Sequence, residues 1–142
     1  MAGKDPKEVY QAVEANSLGL SEAQPLQTRE EGMNAMLAGN LLLLLEGYDK
    51  GLKIGSKGYP ARSVDNTDTE KVLRGSNEGF TESVKTNTAL IRRRIRNPKL
   101  SMEMKNVGST SHTDVVLCYM EDRVDSGFLQ QIEKRLEQIR TD

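Results

Sequence analysis

The run Leu41-Leu42-Leu43-Leu44-Leu45 restricts the fold more than any other part of this chain. It begins directly after a helix-stop signal, Gly39-Asn40, and ends at Glu46-Gly47. The run is too short for a helix of ordinary length and far short of the roughly 20 apolar residues that span a bilayer. A strand with one wet face would alternate apolar with polar residues, and this one does not. It therefore predicts a strand covered on both faces, with amphipathic elements elsewhere to do the covering.

Those elements can be read on either side of it. Thr28 with Glu31 has capping-box spacing, and Met33, Met36 and Leu37 then share one helical face. Asp49-Lys50-Gly51 turns the chain, and Leu52 and Ile54 alternate with Lys53 as a half-exposed strand does. Phe80, Val84, Thr88, Ile91 and Ile95 form one stripe at about 100° per residue, predicting a helix over 78–96 that Pro98 closes. Leu100, Met102 and Met104 alternate with Ser101, Glu103 and Lys105 as a strand with one wet face. Val115 to Met120 reads as a central strand. Phe128, Leu129, Ile132, Leu136 and Ile139 mark a last helix starting near Asp125 or Ser126.

The first 27 residues are less informative. Asp5-Pro6 with Glu8 starts a short helix carrying Tyr10 and Val13. Asn16 to Gln27, with Gly19, Ser21 and Pro25, reads as a connection, and residues 55–68 as an irregular loop. The expected fold is α/β or α+β, a mixed sheet of about four strands flanked by amphipathic helices in the order α-α-β-β-α-β-β-α. Residues 1–27 are then an N-terminal helix and linker, and 28–142 an α/β domain. Parallel and antiparallel pairing are both open at this point.

Composition excludes several functions. The chain has 142 residues with 20 Lys+Arg against 21 Asp+Glu, a balance that argues against an electrostatic nucleic-acid binder. One Cys and one His rule out a disulfide framework and leave no spaced set of metal ligands. Cys118, within an apolar strand, reads as inert core. No secretory signal, nucleophile elbow, phosphate loop or dinucleotide fingerprint is present. Arg74-Gly75-Ser76-Asn77-Glu78-Gly79 reads either as a helix-entry turn or as an anion cradle. The run Arg92-Arg93-Arg94-Ile95-Arg96 is basic, but consecutive helix positions diverge. Arg93 and Arg96 face the polar side with Glu78, Glu82 and Lys85, whereas Arg94 and Asn87 flank the apolar stripe. Those two need hydrogen-bond partners, with Glu70, Glu103 and Asp114 as candidates, in a structural network or at a ligand site.

Taken together, Glu78-Gly79-Phe80-Thr81-Glu82, Asn87 through Arg96, Leu100, Glu103, Val107-Gly108, Thr113-Asp114-Val115, Tyr119, Arg135-Leu136 and Ile139 resemble the N-terminal domain of the GerA spore-germination family. The resemblance runs from about Arg62 to Asp142. Asn66-Thr67 and Gly75-Ser76 depart from the nutrient-receptor pattern, and with the Cys118–Asp125 stretch they are more similar to the family's stage V sporulation protein AF branch.

The resemblance implies a longer protein of the spore inner membrane acting in germination: a water-facing region, a multi-helix membrane domain and a tail. It implies a regulatory and assembly role in ion or dipicolinate release, with other germination membrane proteins and further copies of itself as partners. The alternative is a germinant-sensing domain that binds an amino acid or sugar. It implies no catalytic residue, cofactor, metal or nucleic-acid partner, and no membrane contact through this segment. The positions expected to form a polar network or subunit contact are Arg62, Glu70, Arg74, Glu78, Glu82, Asn87, Arg94 and Asp114.

Overall fold

The computed structural model of the protein describes residues 21–56, 78–107 and 113–138. The helix expected near Tyr10, most of the loop over 55–68, and Arg62, Glu70, Arg74 and His112 lie outside them. The elements run β1 (Ser21–Leu26), α1 (Arg29–Leu37), β2 (Leu41–Leu45), β3 (Gly51–Ser56), α2 (Val84–Arg94), β4 (Leu100–Val107), β5 (Thr113–Met120) and α3 (Ser126–Glu137). They build a five-stranded sheet in the order β1-β3-β2-β5-β4. Every pairing in it is antiparallel.

The leucine run is the innermost strand, and all of its residues are buried. Alternation sends Leu41, Leu43 and Leu45 to one side, where they join Leu52, Ile54, Val115, Leu117 and the α3 residues Phe128, Ile132 and Leu136. Leu42 and Leu44 go to the other side, with Val116, Cys118, Met120 and the apolar faces of α1 and α2. The sheet is thus sandwiched between two helices on one face and one on the other. All three helices open on a side-chain cap: Thr28 accepts from Glu31, Ser83 from Thr86 and Asp125 from Phe128.

Three expectations about the fold are corrected. The sheet has five strands rather than four, and it is wholly antiparallel rather than mixed. The element order among the described residues is β-α-β-β-α-β-β-α, because Ser21–Leu26, read as a connection, is a strand. Pro25 misleads for a physical reason. The Glu46 N–H donates to the Asp114 carbonyl at 2.9 Å, which sets the alternation of main-chain groups across the sheet. Carried through the registers of β2, β3 and β1, it points Gln24 and Leu26 at β3 and turns Pro25 outward. A proline whose missing N–H faces away from the ladder costs the sheet no hydrogen bond. The best-patterned helix is also shorter than its stripe, Val84–Arg94 rather than 78–96, because residues 78–83 leave the helix to tie other elements together.

Gly32 and Gly51 make room for one ring. A Cβ on Gly32 would come within 2.9 Å of Phe80 Cζ and of Leu42, and one on Gly51 within 2.8 Å of Phe80 Cζ. Gly51→Ala is expected to destabilise the chain by about 1–3 kcal/mol in urea unfolding, since the ring would have to move. Phe80→Leu added to Gly51→Ala should recover part of that loss. Simple additivity of the two changes would contradict this packing.

Candidate functional site

The segment 78–83 is held from three directions. The Arg29 N–H donates to the Glu78 carbonyl at 2.9 Å, the Phe80 N–H to Gln27 at 3.3 Å, and the Gly47 N–H to the Glu82 carbonyl at 2.7 Å. Glu46 Oε1 accepts from the Val84 N–H at 3.1 Å, so the β2–β3 turn supplies a carboxylate to the first turn of α2. Asn87 completes the knot. It is 1% exposed, accepts from the Thr81 N–H at 2.9 Å and from the Thr81 hydroxyl at 3.1 Å, and donates to the Thr81 carbonyl at 2.9 Å. Every one of these partners is local, which is how a buried amide avoids its desolvation cost.

Beside this knot lies an open cleft between α1 and α2, about 180 Å³ in volume, lined by Arg29, Glu30, Met33, Glu78, Leu90, Arg93 and Arg94. Charges of both signs surround a floor of Met33 and Leu90. Arg29 is largely covered; it pairs with Glu78 Oε1 at 3.0 Å and donates to the Gly79 carbonyl at 2.8 Å. Glu30 Oε2 is buried and accepts no hydrogen bond among the described residues. Arg92 and Arg93 in the last turn of α2, and Arg96 just beyond it, are exposed.

A second polar cluster lies on the opposite face. Tyr119 donates to Glu103 Oε2, and the Lys105 ammonium sits 3.6 Å from Glu103 Oε1. Burial alone would raise the Glu103 carboxyl, but hydrogen bonds from Tyr119 and Glu133 and the Lys105 charge hold it below the usual range. Burial, the hydrogen bond to Glu103 and its negative charge push the Glu133 carboxyl up, so the two carboxyls shift in opposite directions. Burial and the same hydrogen bond raise Tyr119 to about 12. Cys118 is raised to about 12 by burial, which suppresses the reactive thiolate.

Of the residues that the sequence groups, the structure describes Glu78, Glu82, Asn87, Arg94 and Asp114. Glu78 and Arg94 line the cleft, and Asn87 lies in the knot beside it. Glu82 is exposed and contributes its carbonyl to Gly47. Asp114 accepts from Asn106 across the β4–β5 pair, Glu103 accepts from Tyr119 on the α3 side, and the side-chain hydrogen bonds of Asn87 go to Thr81. Arg29, Glu30, Met33 and Leu90 are cleft residues that sequence reading misses, because they converge only when helices some 50 residues apart pack together. The one signal that pointed there is the arginine run of α2. Among the described residues, no three His, Cys, Asp or Glu side chains converge to hold a metal ion.

A family model described as Bacillus/Clostridium GerA spore germination protein matches residues 2–142. The chain is 37% identical over 139 residues to stage V sporulation protein AF of Bacillus subtilis (strain 168), covering 98% of this chain and 28% of that protein. It is 35% identical over 127 residues to the uncharacterized membrane protein YfkQ of the same organism, covering 89% and 25% respectively. It is 33% identical over 132 residues to spore germination protein KA, again of that organism, covering 93% and 24%. The chain thus spans about a quarter of the length of these relatives. No solved structure matches it.

Two outcomes follow from this geometry. Asn87→Ala should cost on the order of 2–3 kcal/mol in urea unfolding, because the Thr81 N–H loses its partner inside the fold. The carboxyl pair predicts a pH dependence. Stability linked to Glu133, whose folded pKa is raised above 4.5, is complete below the unfolded value and lost as pH rises through the folded one. Glu103, lowered from 4.5, works the other way and loses its share as pH falls. The stability difference between Glu133→Gln and the native chain should therefore move in the variant's favour on going from pH 4 to pH 7. A difference that stays constant with pH would show that the two carboxyls do not interact.

Proposed function

The chain belongs to the GerA spore-germination family, and from that premise we propose that it is an assembly and regulatory module of a longer spore-membrane protein. The observation that carries this reading is how the family-motif residues divide. Phe80, Thr81 and Asn87 are committed inward to the fold. The same stretch turns Arg92, Arg93 and Arg96 outward, beside a cleft open enough to receive another protein's side chains. A relative named as a membrane protein shares this segment over 25% of its length. Among the described residues no helix is long and apolar enough to cross a membrane. The membrane part of such a protein would therefore be carried elsewhere, with this module biasing the release of ions or dipicolinate through its contacts. Its partners in this reading are other germination proteins of the spore inner membrane.

The cleft also favours a second reading, as a germinant site. Arginines, the Glu30 carboxylate and the Met33–Leu90 floor are the chemistry that holds a small zwitterion. Its volume of about 180 Å³ counts against this, being below the roughly 300–1,000 Å³ of most small-molecule pockets.

In the full-length protein, Arg93→Glu combined with Arg94→Met should slow germination and reduce co-purification with partner proteins. The isolated chain with the same changes should still fold, with an unchanged far-ultraviolet circular dichroism spectrum and a cooperative urea transition. Unaltered germination and co-purification would overturn the assembly reading, and loss of the isolated fold would assign these arginines to stability. Calorimetric titration of the chain with amino acids, sugars and dipicolinate decides the second reading; heat that saturates at one site would favour it.

A further inference from the structure

The two edges of the sheet differ in their capacity to accept another strand. On β1 the outward positions include Pro25, which offers no N–H. On β4 the ladder with β5 is continuous from Leu100 to Val107, and no strand among the described residues lies beyond it. The Glu121 N–H donates to the Lys99 carbonyl at 2.8 Å, which points the main-chain groups of Ser101, Glu103 and Lys105 at β5. Those of Met102, Met104 and Asn106 consequently face the open edge. Met104 is also the exposed large hydrophobic of the described structure, at 62%. An eight-residue unbulged edge is a template for pairing unless something occupies it.

We infer that the occupant is a second copy of this chain, joined β4 to β4 in antiparallel fashion about a two-fold axis through Met104. Alternation of the main-chain groups requires outward residues to meet outward residues, so the axis must pass through a residue and not between two. An axis through Glu103 would place Glu103 against itself, and one through Lys105 would set two ammonium groups face to face. Like charges directly opposite each other disfavour both registers. The axis through Met104 sets Glu103 opposite the partner's Lys105, and Lys105 opposite the partner's Glu103. On the other face it covers the two Met104 side chains with each other. Met104 then exchanges main-chain bonds with its symmetry mate, and Met102 does so with the partner's Asn106. This is the isologous geometry of a two-fold dimer.

The inference rests on the assembly reading for its biological setting and goes beyond it by naming the partner, the strand and the register. Sedimentation equilibrium of the 142-residue chain should show a mass that rises with concentration toward twice 15.8 kDa. Met104→Lys and Lys105→Glu should each weaken the association at least tenfold while leaving the far-ultraviolet circular dichroism unchanged. Met104→Cys should form a disulfide-linked dimer under mild oxidation, at least tenfold faster than Ala89→Cys on the exposed side of α2; the buried Cys118 does not compete. A chain that is monomeric at all concentrations overturns the inference, as does a dimer whose Met104→Cys form links no faster than the Ala89→Cys control. A monomer whose Arg93→Glu, Arg94→Met form still impairs the full-length protein would remove the β4 contact and leave the assembly reading standing. A β4 dimer with germination unaffected by those arginines would do the reverse.

Discussion

Burial of β2 on both faces is the constraint from which the rest of this structure follows. Five consecutive leucines cannot sit on a surface strand without exposing alternate side chains, so the sheet needs a helical layer on each side. α3 covers Leu41, Leu43 and Leu45, while α1 and α2 cover Leu42 and Leu44. At roughly 1.5–3 kcal/mol for each fully buried large aliphatic side chain, this strand is a large part of the driving force for folding. Its neighbours β3 and β5 inherit the arrangement, and the outer strands are free to be more polar.

The segment 78–83 solves the problem that two covering layers create. Helices α1 and α2 come from distant parts of the chain and must meet the same sheet face at one height. Phe80 sets that height by resting on Gly32 of α1 and Gly51 of β3, where any side chain would intrude. Hydrogen bonds from Arg29 and Gly47, together with the Glu46 carboxylate at the start of α2, tie the segment to its surroundings. The Asn87–Thr81 knot prevents it from continuing as helix. The family motif over 78–87 is thus a joint first, and the cleft beside it is a consequence of how that joint holds the two helices apart.

Polar chemistry is distributed unequally over the two faces. The α1–α2 face carries exposed arginines and an open cleft of mixed charge, suited to contacts that form and break. The α3 face carries a cluster in which Tyr119 and Lys105 support the Glu103 carboxylate and the neighbouring Glu133 carboxyl is pushed up by burial and by Glu103. Such a cluster fixes α3 against the outer strands. Between the two faces runs the β4 edge, with Glu103 and Lys105 on the α3 side and the exposed Met104, opposite Val116, on the α1–α2 side.

Local signals in the sequence determined the elements that have strong local causes. The capping residues Thr28 and Asp125, the alternation of Leu52 and Ile54, the apolar strand at Val115–Met120 and the amphipathic α3 are all legible from spacing, because each depends on neighbours a few residues away. The GerA resemblance was legible as well, since it rests on ordered motifs rather than on contacts. Tertiary structure alone decided the pairing. Ser21–Leu26 is polar and contains a proline, and only its place at an edge, with Pro25 turned outward, makes it a strand. The same holds for the polar contacts: the register sets Asp114 opposite Asn106 and turns Glu103 toward Tyr119 on the α3 side, pairings that no local spacing announces. Burial and capping act over one or two turns of chain and can be read directly. Which surfaces meet depends on how the sheet is ordered, and that is set by the whole chain folding together.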